Sequence, residues 1–510
     1  MINIYKINNQ KGGILNILPN YYIVSSHNTY LTGHQLTDNS TYYMYIAFLN
    51  TFGGGCLEID PVSVHDHVES TGNKIKDIII KHGPLTGQIF LSKLLELIIL
   101  WLDDEETIKT GPIILTFDNK YLKKRKEQDY IWDVFNRTIF KQSTKQYVFS
   151  NQILLEKTDI AYLKGKIIIR WDECTNPITK GTDEVCSKDG KTETKGLFNN
   201  NNNKSGVNIS IPKVNLLTTK TEDKKVEMYT LIANNDIEPN EIVFNIINNT
   251  HNKLIRVYPH PLNIKSGNYD IAKYFASGVN CVALNFQVMD LYLIKLITFF
   301  GNTSIIKKPS YLTDFMNISE ANYEKIYPKY VQVTLTIQSL HQQKLKICIS
   351  GDVYNKVHKY RLSPNESCKV ILAINKTFPI ISISVDIYNI NIVNICNSID
   401  RYYGAFKIDG NAEFDVDCYK YDKKINCNGE LMLLKDLYKC DNKHSDTYAL
   451  YQFLKTQKLD MRKNEQGIKL KCSYTTTDTT DLPKYKKRMS ANDTGEDQDT
   501  AAPIEISDEN

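Results

Sequence analysis

The chain has 510 residues, enough for about three to four domains, and its 42% hydrophobic content excludes a largely disordered protein. Its 62 basic and 58 acidic side chains leave a formal charge of only +4, which excludes a broad nucleic-acid-binding surface driven by bulk charge. The longest apolar run, from Leu94 to Leu102, contains a glutamate and is too short to span a bilayer. The amino terminus carries no apolar signal core, and 11 cysteines without a C-x-x-C pair favour a reducing compartment. We therefore expect a cytoplasmic protein of several domains.

Short apolar runs in the first two thirds of the chain predict strands, and helical patterns lie between some of them. Several runs consist of consecutive Ile, Leu and Val residues, which is typical of strands buried on both faces. Strands that alternate with helices predict an α/β fold, here a TIM-like (β/α)8 barrel. The predicted strands are YYIVSS (21–26), CLEID (56–60), DIIIKH (77–82), IILTFD (113–118), KIIIRW (166–171), VEMYTL (226–231), LIRVYP (254–259) and CVALNF (281–286).

A polar segment interrupts the barrel pattern. Residues 175–225 include a run of five asparagines at 199–203, and they contain too little apolar surface to offset the entropy lost on ordering. We predict that this segment is a disordered linker. It would split the barrel into a first half at 21–174 and a second half at 226–316.

The pattern changes after the second half. Apolar residues from Val331 to Ile337 alternate with polar ones, which predicts an antiparallel β-sandwich over 327–460. Residues 1–20 form a short lead. The end of the chain, 461–510, is polar, and its last part contains seven acidic residues spread over 493–509. We therefore expect it to be a disordered tail.

Polar side chains stand at the ends of the first four predicted strands. In a barrel, the carboxyl ends of the parallel strands form one rim, and active sites lie at that rim. Two of the carboxylates are at positions i and i+2 of one strand, so they point to the same face. The residues expected to converge are His27 and Asn28 after the first strand, Glu58 and Asp60 near the end of the second, His82 at the end of the third and Asp118 at the end of the fourth.

These residue types suit proton transfer assisted by a metal ion. The oxygens of Asn28, Glu58, Asp60 and Asp118 are hard donors that suit Ca²⁺, or less well Mg²⁺, and a cation would offset the repulsion between buried carboxylates. Zinc is a poorer choice because the set contains no cysteine. The histidines suit proton transfer near neutral pH. Taken singly, each residue also has a structural interpretation, as a strand-end histidine, a solvated strand edge or a turn.

A second set of polar residues lies on later predicted strands. Arg170 ends the fifth strand, Thr230 lies in the sixth, and Arg256 and Tyr258 lie at i and i+2 in the seventh. Guanidinium groups bind phosphate through paired hydrogen bonds, so arginines near a divalent ion indicate a phosphorylated ligand. From spacing alone, a surface salt bridge is an equally good interpretation of Arg256.

Several blocks of the two predicted barrel halves occur in a definite order. They are SSHNTYLTGHQL (25–36), CLEID (56–60), KHG (81–83), ILTFDN (114–119), YLKGKIIIR (162–170), RVYP (256–259), SGNYD (266–270) and VALNFQ (282–287). The first five resemble the X region, and the last three the Y region, of eukaryotic phosphoinositide-specific phospholipase C. The resemblance covers about 21–172 and 226–316, and the predicted sandwich is similar in position to the C2 domain of that family.

The resemblance implies a Ca²⁺-dependent hydrolase of lipid metabolism and signal transduction. It would convert phosphatidylinositol 4,5-bisphosphate, or a less phosphorylated inositide, to diacylglycerol and an inositol phosphate through a cyclic phosphodiester. His27 would stabilise charge on the phosphate, His82 would protonate the departing diacylglycerol oxygen, and Glu58, or as second choice Asp118, would accept the proton of the 2-hydroxyl. By the same resemblance, Asn28, Glu58, Asp60 and Asp118 would bind Ca²⁺, and Arg170, Thr230, Arg256 and Tyr258 would hold the headgroup.

The sequence departs from the family pattern in several places. The family usually has Glu at the position of Asp118 and Lys at that of Asp172, and the acid at 172 leaves the preference among inositides open. Only about 20 residues precede the X region, so the PH and EF-hand modules of many members would be absent or on another chain. Residues 385–389 lack the paired aspartates common in the C2 domain of the family, which predicts membrane docking without Ca²⁺.

The expected partners are a phosphoinositide lipid and, peripherally, a membrane surface, with no nucleic acid and with protein regulators unknown. Localisation would be cytoplasmic with peripheral membrane association. The alternative is a catalytically silent scaffold that binds inositol phosphates or membranes. A related barrel phosphodiesterase acting on glycerophosphodiesters would share the rim chemistry, but it does not account for the Y-like blocks or the sandwich.

Overall fold

The structure of the chain is a computed structural model. The residues that it describes are 16–68, 74–83, 85–118, 122, 125–141, 147–148, 158–171, 216–217, 227–232, 253–259, 266–276, 278–313, 330–351, 353, 356–389, 398–421, 424–427, 430–433, 439, 441, 446–457, 459 and 467–479. Within these residues, no helix is long and apolar enough to cross a membrane. Most of the predicted linker, most of the predicted lead, Asp172 and the acidic end of the chain lie outside them.

The first part of the chain alternates short strands with helices. In chain order, its elements are β1 (Tyr21–Ser26), α1 (Tyr43–Phe52), β2 (Gly55–Ile59), β3 (Pro61–Val68), β4 (Lys74–Ile80), β5 (Ile89–Phe90), α2 (Leu91–Asp103), β6 (Ile113–Phe117), α3 (Arg125–Arg137), β7 (Ile167–Trp171), β8 (Leu216–Leu217), β9 (Glu227–Ile232), β10 (Lys253–Tyr258), α4 (Ala272–Ala276), β11 (Cys281–Leu284), α5 (Leu291–Phe300) and β12 (Ile305–Lys307).

The parallel strands form one curled sheet. Its strand order is β8-β7-β6-β2-β1-β11-β10-β9, with β12 antiparallel on β1. Except between β8 and β9, each parallel strand therefore lies beside its predecessor among the parallel strands, and the first strand, β1, also pairs with the last, β11. A sheet whose first and last strands are neighbours has the order of a (β/α)8 barrel, and within the described residues it is open between β8 and β9. The predicted α/β barrel class is confirmed.

Alternate side chains of these strands pack in two separate layers. Ile23, Cys56, Ile114 and Ile168 belong to a cluster made mostly of strand residues. Their neighbours along the strands belong to a larger cluster that includes the apolar faces of α1, α2 and α3. Each fully buried Ile or Leu contributes about 1.5–3 kcal/mol, so both layers hold the sheet in its curled form. At the carboxyl ends of the strands, the inward positions of the same alternation carry polar residues instead.

One predicted barrel strand is wrong and another was missed. The run at 77–82 forms part of β4, which pairs antiparallel with β3 and β5 in a separate small sheet packed against α2 and α3. Its continuous isoleucines reflect burial under those helices, which gives the same sequence signature as a central barrel strand. The remaining barrel strand is instead β8, which lies inside the segment predicted to be a disordered linker and pairs with β7.

The second part of the chain is an antiparallel β structure, as predicted from the two-residue periodicity. The strand order of its eight-stranded sheet is β15-β14-β17-β18-β19-β22-β13-β16. Its elements are β13 (Tyr330–Ser339), β14 (Leu345–Ser350), β15 (Val357–Leu362), β16 (Ser367–Asn375), β17 (Ile380–Asn389), β18 (Ser398–Lys407), β19 (Ala412–Lys420), β20 (Lys424–Cys427), β21 (Glu430–Leu433), α6 (Thr447–Leu454) and β22 (Ile468–Thr479).

The predicted boundary of the disordered tail is wrong. Strand β22 lies within 461–510, and it pairs with both β13 and β19 at the centre of the sheet. Its residues Ile468, Leu470 and Cys472 alternate with lysines and are buried in the sandwich core. The sandwich therefore extends to residue 479.

The sandwich contacts both halves of the barrel. Helix α5 of the second half packs against β17 and β18. There, Phe378 lies 5.3 Å from Phe275 and 4.7 Å from Phe299, measured between ring centroids. On the other side, Asn50 of α1 donates its amide to the carbonyl of Leu454 at 3.0 Å, which ties α6 to the first half.

A buried ion pair reinforces the contact at α5, and its removal is expected to destabilise the protein. Lys295 is 1% exposed, lies 3.7 Å from Asp270 and donates to Ser350 of the sandwich at 2.9 Å. Changing Lys295→Ala should lower the free energy of unfolding in urea by about 3–5 kcal/mol, because Asp270 is left buried without its partner. The control Lys455→Ala removes two partly exposed pairs, with Glu106 at 3.3 Å and with Asp104 at 3.9 Å, and should cost about 0–1 kcal/mol. Equal losses in the two variants would contradict the prediction.

Candidate active site

The turn after β1 brings two predicted site residues to the rim. The backbone N–H of His27 donates to the carbonyl of Leu284 at 2.8 Å, so the end of β1 is held against β11. Asn28 then adopts a φ of 46°, in the left-handed region that asparagine tolerates better than most residues. The hydroxyls of Ser26 and Thr29 are hydrogen-bonded across this turn, and Thr29 also accepts from the backbone of Glu58 at 2.9 Å. The turn is therefore fastened to the two neighbouring strands.

Both carboxylate oxygens of Glu58 are engaged. The backbone N–H of Asn28 donates to Oε2 at 2.6 Å, and Nη2 of Arg256 lies 2.9 Å from Oε1. Both side chains are almost fully buried, at 6% and 2% exposure. Burial, the largest single effect, would lower the pKa of Arg256, but Glu58 together with Cys56 and Cys281 more than offsets it and the pKa is raised, so the guanidinium stays charged. The interpretation of Arg256 as a surface salt bridge is wrong, since its ion pair is buried at the rim.

His27 lies between this ion pair and an asparagine. Its Nδ1 is 2.9 Å from Oδ1 of Asn285, and its Nε2 is 3.8 Å from Oε2 of Glu58. The imidazole stacks on Tyr258, with 5.9 Å between ring centroids and an interplanar angle of 13°. The guanidinium of Arg256 lies 5.6 Å from the centroid of the same tyrosine. The structure thus brings His27, Glu58, Arg256 and Tyr258 into one cluster.

Tyr30 links two further predicted ligands. Its hydroxyl donates to Asp60 at 2.8 Å and lies 3.2 Å from the amide oxygen of Asn28. Burial, and then the nearby Asp60, raise the pKa of Tyr30 well above its usual value, so it remains a hydrogen-bond donor. Neither Tyr30 nor Asn285 was predicted as a site residue, although both lie in sequence blocks that carry the family resemblance.

Strand register places Asp118 and Arg170 at the same rim. The backbone N–H of Asp118 donates to the carbonyl of Ile59, between Glu58 and Asp60, at 3.0 Å. Arg170 pairs with Thr116, which pairs with Glu58, so the three residues form one row across neighbouring strands. Residues paired in parallel strands project to the same side of the sheet, and Arg170 is 1% exposed.

His82 and Thr230 are placed by the backbone. Strand β3 leaves the rim at Pro61, and β4 returns at Ile80, which pairs with Pro61. His82 follows two residues later and so lies beside the end of β2, by way of an antiparallel hairpin and not as the end of a barrel strand. Thr230 of β9 pairs with Arg256 of β10. The side chain of Thr230 lies outside the described part of the structure.

The donor types at the rim fit a hard cation. Asn28 and Asp60 share Tyr30, and Asn28 contacts Glu58, so an amide and two carboxylates are neighbours. Among the residues that the structure describes, no three His, Cys, Asp or Glu side chains are grouped as a preformed metal site. Oxygen donors of this kind are those that Ca²⁺ prefers.

Comparison with known proteins identifies the class to which this arrangement belongs. The chain matches the model of the X domain of phosphatidylinositol-specific phospholipase C over residues 15–172. It matches the model of the Y domain of the same enzymes over residues 219–311. The chain therefore belongs to the eukaryotic phosphoinositide-specific phospholipase C family, as its sequence blocks predicted.

Individual relatives differ in what their names say of activity. The chain is 25% identical over 359 residues to a Danio rerio protein named 1-phosphatidylinositol 4,5-bisphosphate phosphodiesterase delta-3-A, a match that covers 64% of this chain and 43% of that protein. It is 23% identical over 337 residues to the human Inactive phospholipase C-like protein 2, which covers 61% of this chain and 28% of that protein. The chain thus spans less than half the length of these relatives.

The fold is similar to that of solved phospholipase C structures. The crystal structure of PLC21 from S. officinalis superposes with a TM-score of 0.51 at 16% sequence identity, and the match covers 91% of this chain and 56% of the other. A match at this identity supports the fold alone. It agrees with a curled parallel sheet followed by an antiparallel β structure.

Proposed function

We propose that the chain is a Ca²⁺-dependent phosphoinositide phospholipase C of the cytoplasm that acts at a membrane surface. Its substrate would be phosphatidylinositol 4,5-bisphosphate or a less phosphorylated inositide, and its products diacylglycerol and an inositol phosphate. The observation that carries the proposal is the buried cluster in which His27, Glu58 and Arg256 meet at the carboxyl end of the parallel sheet. It combines a proton-transfer group, a carboxylate and a phosphate-binding guanidinium.

Asn28, Glu58, Asp60 and Asp118 are the residues that would hold Ca²⁺. When bound there, the ion would lower the pKa of the inositol 2-hydroxyl and offset negative charge on the phosphoryl group. Of the three carboxylates in this set, Glu58 and Asp60 are buried. Glu58 accepts a hydrogen bond from the backbone N–H of Asn28, and Asp60 accepts one from the hydroxyl of Tyr30. The protein therefore positions two of the four proposed donors.

The reaction would proceed in two steps. Glu58 accepts the proton of the 2-hydroxyl while the 2-oxygen bonds to the 1-phosphorus, and the bond from phosphorus to the diacylglycerol oxygen breaks. His82 gives its proton to that departing oxygen, and His27 stabilises charge on the phosphoryl oxygens. Water then opens the cyclic phosphodiester, with proton transfers in the reverse direction, to give the inositol phosphate.

Buried cations would hold the phosphorylated ring. Arg170 and Arg256 are almost fully buried, so a phosphate that they bind would be shielded from water and held more strongly than at an exposed site. Tyr258 presents a half-buried ring between Arg256 and His27, where it could pack against the inositol. Thr230 is the remaining proposed headgroup residue.

Removal of Ca²⁺ is the direct test of this function. The protein should release headgroup from vesicles containing phosphatidylinositol 4,5-bisphosphate in Ca²⁺, lose that activity in EGTA and recover it when Ca²⁺ is restored. Vesicles of phosphatidylinositol and of its monophosphate, assayed in parallel, rank the substrates. Release that is equal with and without EGTA would contradict the metal dependence.

The alternative is a silent scaffold, and the similarity to an inactive phospholipase C-like protein motivates it. A scaffold would bind the same vesicles in a sedimentation assay but release no headgroup under any of these conditions. An enzyme would do both. The two functions are therefore separated by one pair of measurements on one preparation.

A further inference from the structure

The blocks SGNYD and VALNFQ carry family resemblance but have no role in the mechanism above. Asn285 belongs to the second block, follows β11 directly and is 0% exposed. We infer that Asn285 is a positioning residue that fixes the ring orientation and tautomer of His27. The inference rests on the proposed function, because it assigns a role in that reaction.

The amide orientation of Asn285 follows from its other contacts. Its Nδ2 donates to the carbonyl of Gly267 at 3.3 Å, and a carbonyl can only accept. Gln287 donates its Nε2 to Oδ1 of Asn285 at 3.3 Å. The oxygen of Asn285 therefore faces Nδ1 of His27, 2.9 Å away, and Nδ1 must be the donor. In the neutral ring, the proton is then on Nδ1, and in the protonated ring the second proton is on Nε2, from where it can donate to a phosphoryl oxygen.

The orientation of His27 directs its other nitrogen to the reacting groups. Nε2 lies 3.8 Å from Oε2 of Glu58, so this nitrogen is on the side of the ring that faces the proposed reacting groups. Stacking on Tyr258 limits rotation of the ring from a second side. Two contacts thus set the plane and the direction of the imidazole.

Asn285 is itself held by a chain of hydrogen bonds that ends at a helix. Its backbone N–H donates to Oδ1 of Asn268 at 2.7 Å, and Nδ2 of Asn268 donates back to the carbonyl of Asn285 at 3.2 Å. The backbone N–H of Asn268 donates to Asp290 at 3.0 Å, and Asp290 caps the first turn of α5 through Leu293 at 2.8 Å. The two unassigned blocks therefore support His27 from a rigid element.

An amide suits this position better than a carboxylate would. Glu58 and Asp60 already place two buried carboxylates at the rim, and a third would add repulsion. An amide oxygen accepts the hydrogen bond from Nδ1 without adding charge. Asn285 thus orients the ring while leaving the negative charge of the site unchanged.

The test compares two buried asparagines at opposite ends of β11. Asn285→Leu removes the acceptor and should lower kcat by about 10- to 100-fold with little change in KM, the usual loss when a supporting partner is removed. The control Asn280→Leu removes contacts with backbone groups only, at Pro19, Tyr21 and Ile255, and should leave kcat per folded molecule within about twofold. Asn285→Asp keeps an acceptor and should retain more activity than Asn285→Leu.

A second readout does not depend on activity. In protein labelled with 15N-histidine, the neutral ring of His27 should carry its proton on Nδ1 in the wild type and in Asn280→Leu. The proton should move largely to Nε2 in Asn285→Leu. If Asn285→Leu does not fold, the Asn285→Asp variant and the wild-type spectrum still decide the question.

The possible outcomes separate the inference from the function on which it rests. A wild-type His27 protonated on Nε2, or an active enzyme in which Asn285→Leu and Asn280→Leu turn over equally, would overturn the role of Asn285. Absence of lipid hydrolysis by the wild type would overturn the proposed function, and with it the catalytic part of the inference. An Nδ1 proton together with a selective loss of kcat in Asn285→Leu would support both.

Discussion

Replacing His27 with alanine should lower phosphoinositide turnover by about 100- to 10,000-fold, the range for loss of a positioned acid–base group. The imidazole is the group of the rim cluster that contacts Asn285, Glu58 and Tyr258 together, so water cannot take its place with the same geometry. Headgroup release from vesicles of phosphatidylinositol 4,5-bisphosphate measures the effect. We expect His82→Ala to cause a loss in the same range.

The control for this change is a histidine of the sandwich. His341 lies in the turn after β13, in the sandwich, and its Nδ1 accepts from the backbone N–H of Gln343 at 3.1 Å. His341→Ala should retain wild-type turnover. Turnover of His27→Ala that equals that of His341→Ala would refute the mechanism proposed here.

The second large effect concerns the buried pair of Glu58 and Arg256. Glu58→Gln should abolish measurable turnover, because it removes the proposed base and a proposed metal ligand. It should also lower the free energy of unfolding by about 3–5 kcal/mol, because Arg256 is left buried without a negative partner. Thermal and urea unfolding measure the second effect independently of the first.

A double-mutant cycle separates stability from activity at this pair. Arg256→Met should destabilise by a similar amount, since Glu58 then loses its partner, whereas Glu58→Gln combined with Arg256→Met should cost much less than the sum of the two. Turnover should stay absent in the double variant. Strictly additive losses of stability would mean that the two side chains do not interact in the folded protein.

Sequence periodicity was sufficient to predict most of the barrel strands. The strands β1, β2, β6, β7, β10 and β11 are short, mostly apolar runs in the chain, and their apolar residues are buried on both faces of the sheet. It failed at β4, because burial beneath two helices produces the same run of isoleucines as burial in the barrel. It also failed at β8, where only Leu216 and Leu217 pair within a polar segment.

The structure brings several of the predicted site residues together at one rim, but their partners could not be predicted from spacing. Glu58 and Asp60 are two residues apart, which fixes a common face. Arg256 and Asn285 reach that face from strands more than 190 residues later in the chain, and only the closure of the sheet through β1 and β11 makes them neighbours. Contacts of that separation depend on the complete fold. The roles of the individual residues in Ca²⁺ and headgroup binding stay predictions.

Because the sandwich is attached to both barrel halves, it should keep them together even if the covalent chain between them is broken. The first half is fastened to α6 through Asn50, and the second half is fastened to the sandwich through Lys295 and the rings around Phe378. The carboxy-terminal part of the chain therefore acts as a shared template that keeps the two halves at high effective concentration. Because these contacts do not depend on the covalent link between β7 and β8, a break in that link should leave both halves attached to the sandwich. Two fragments divided there should reassemble into one catalytic unit.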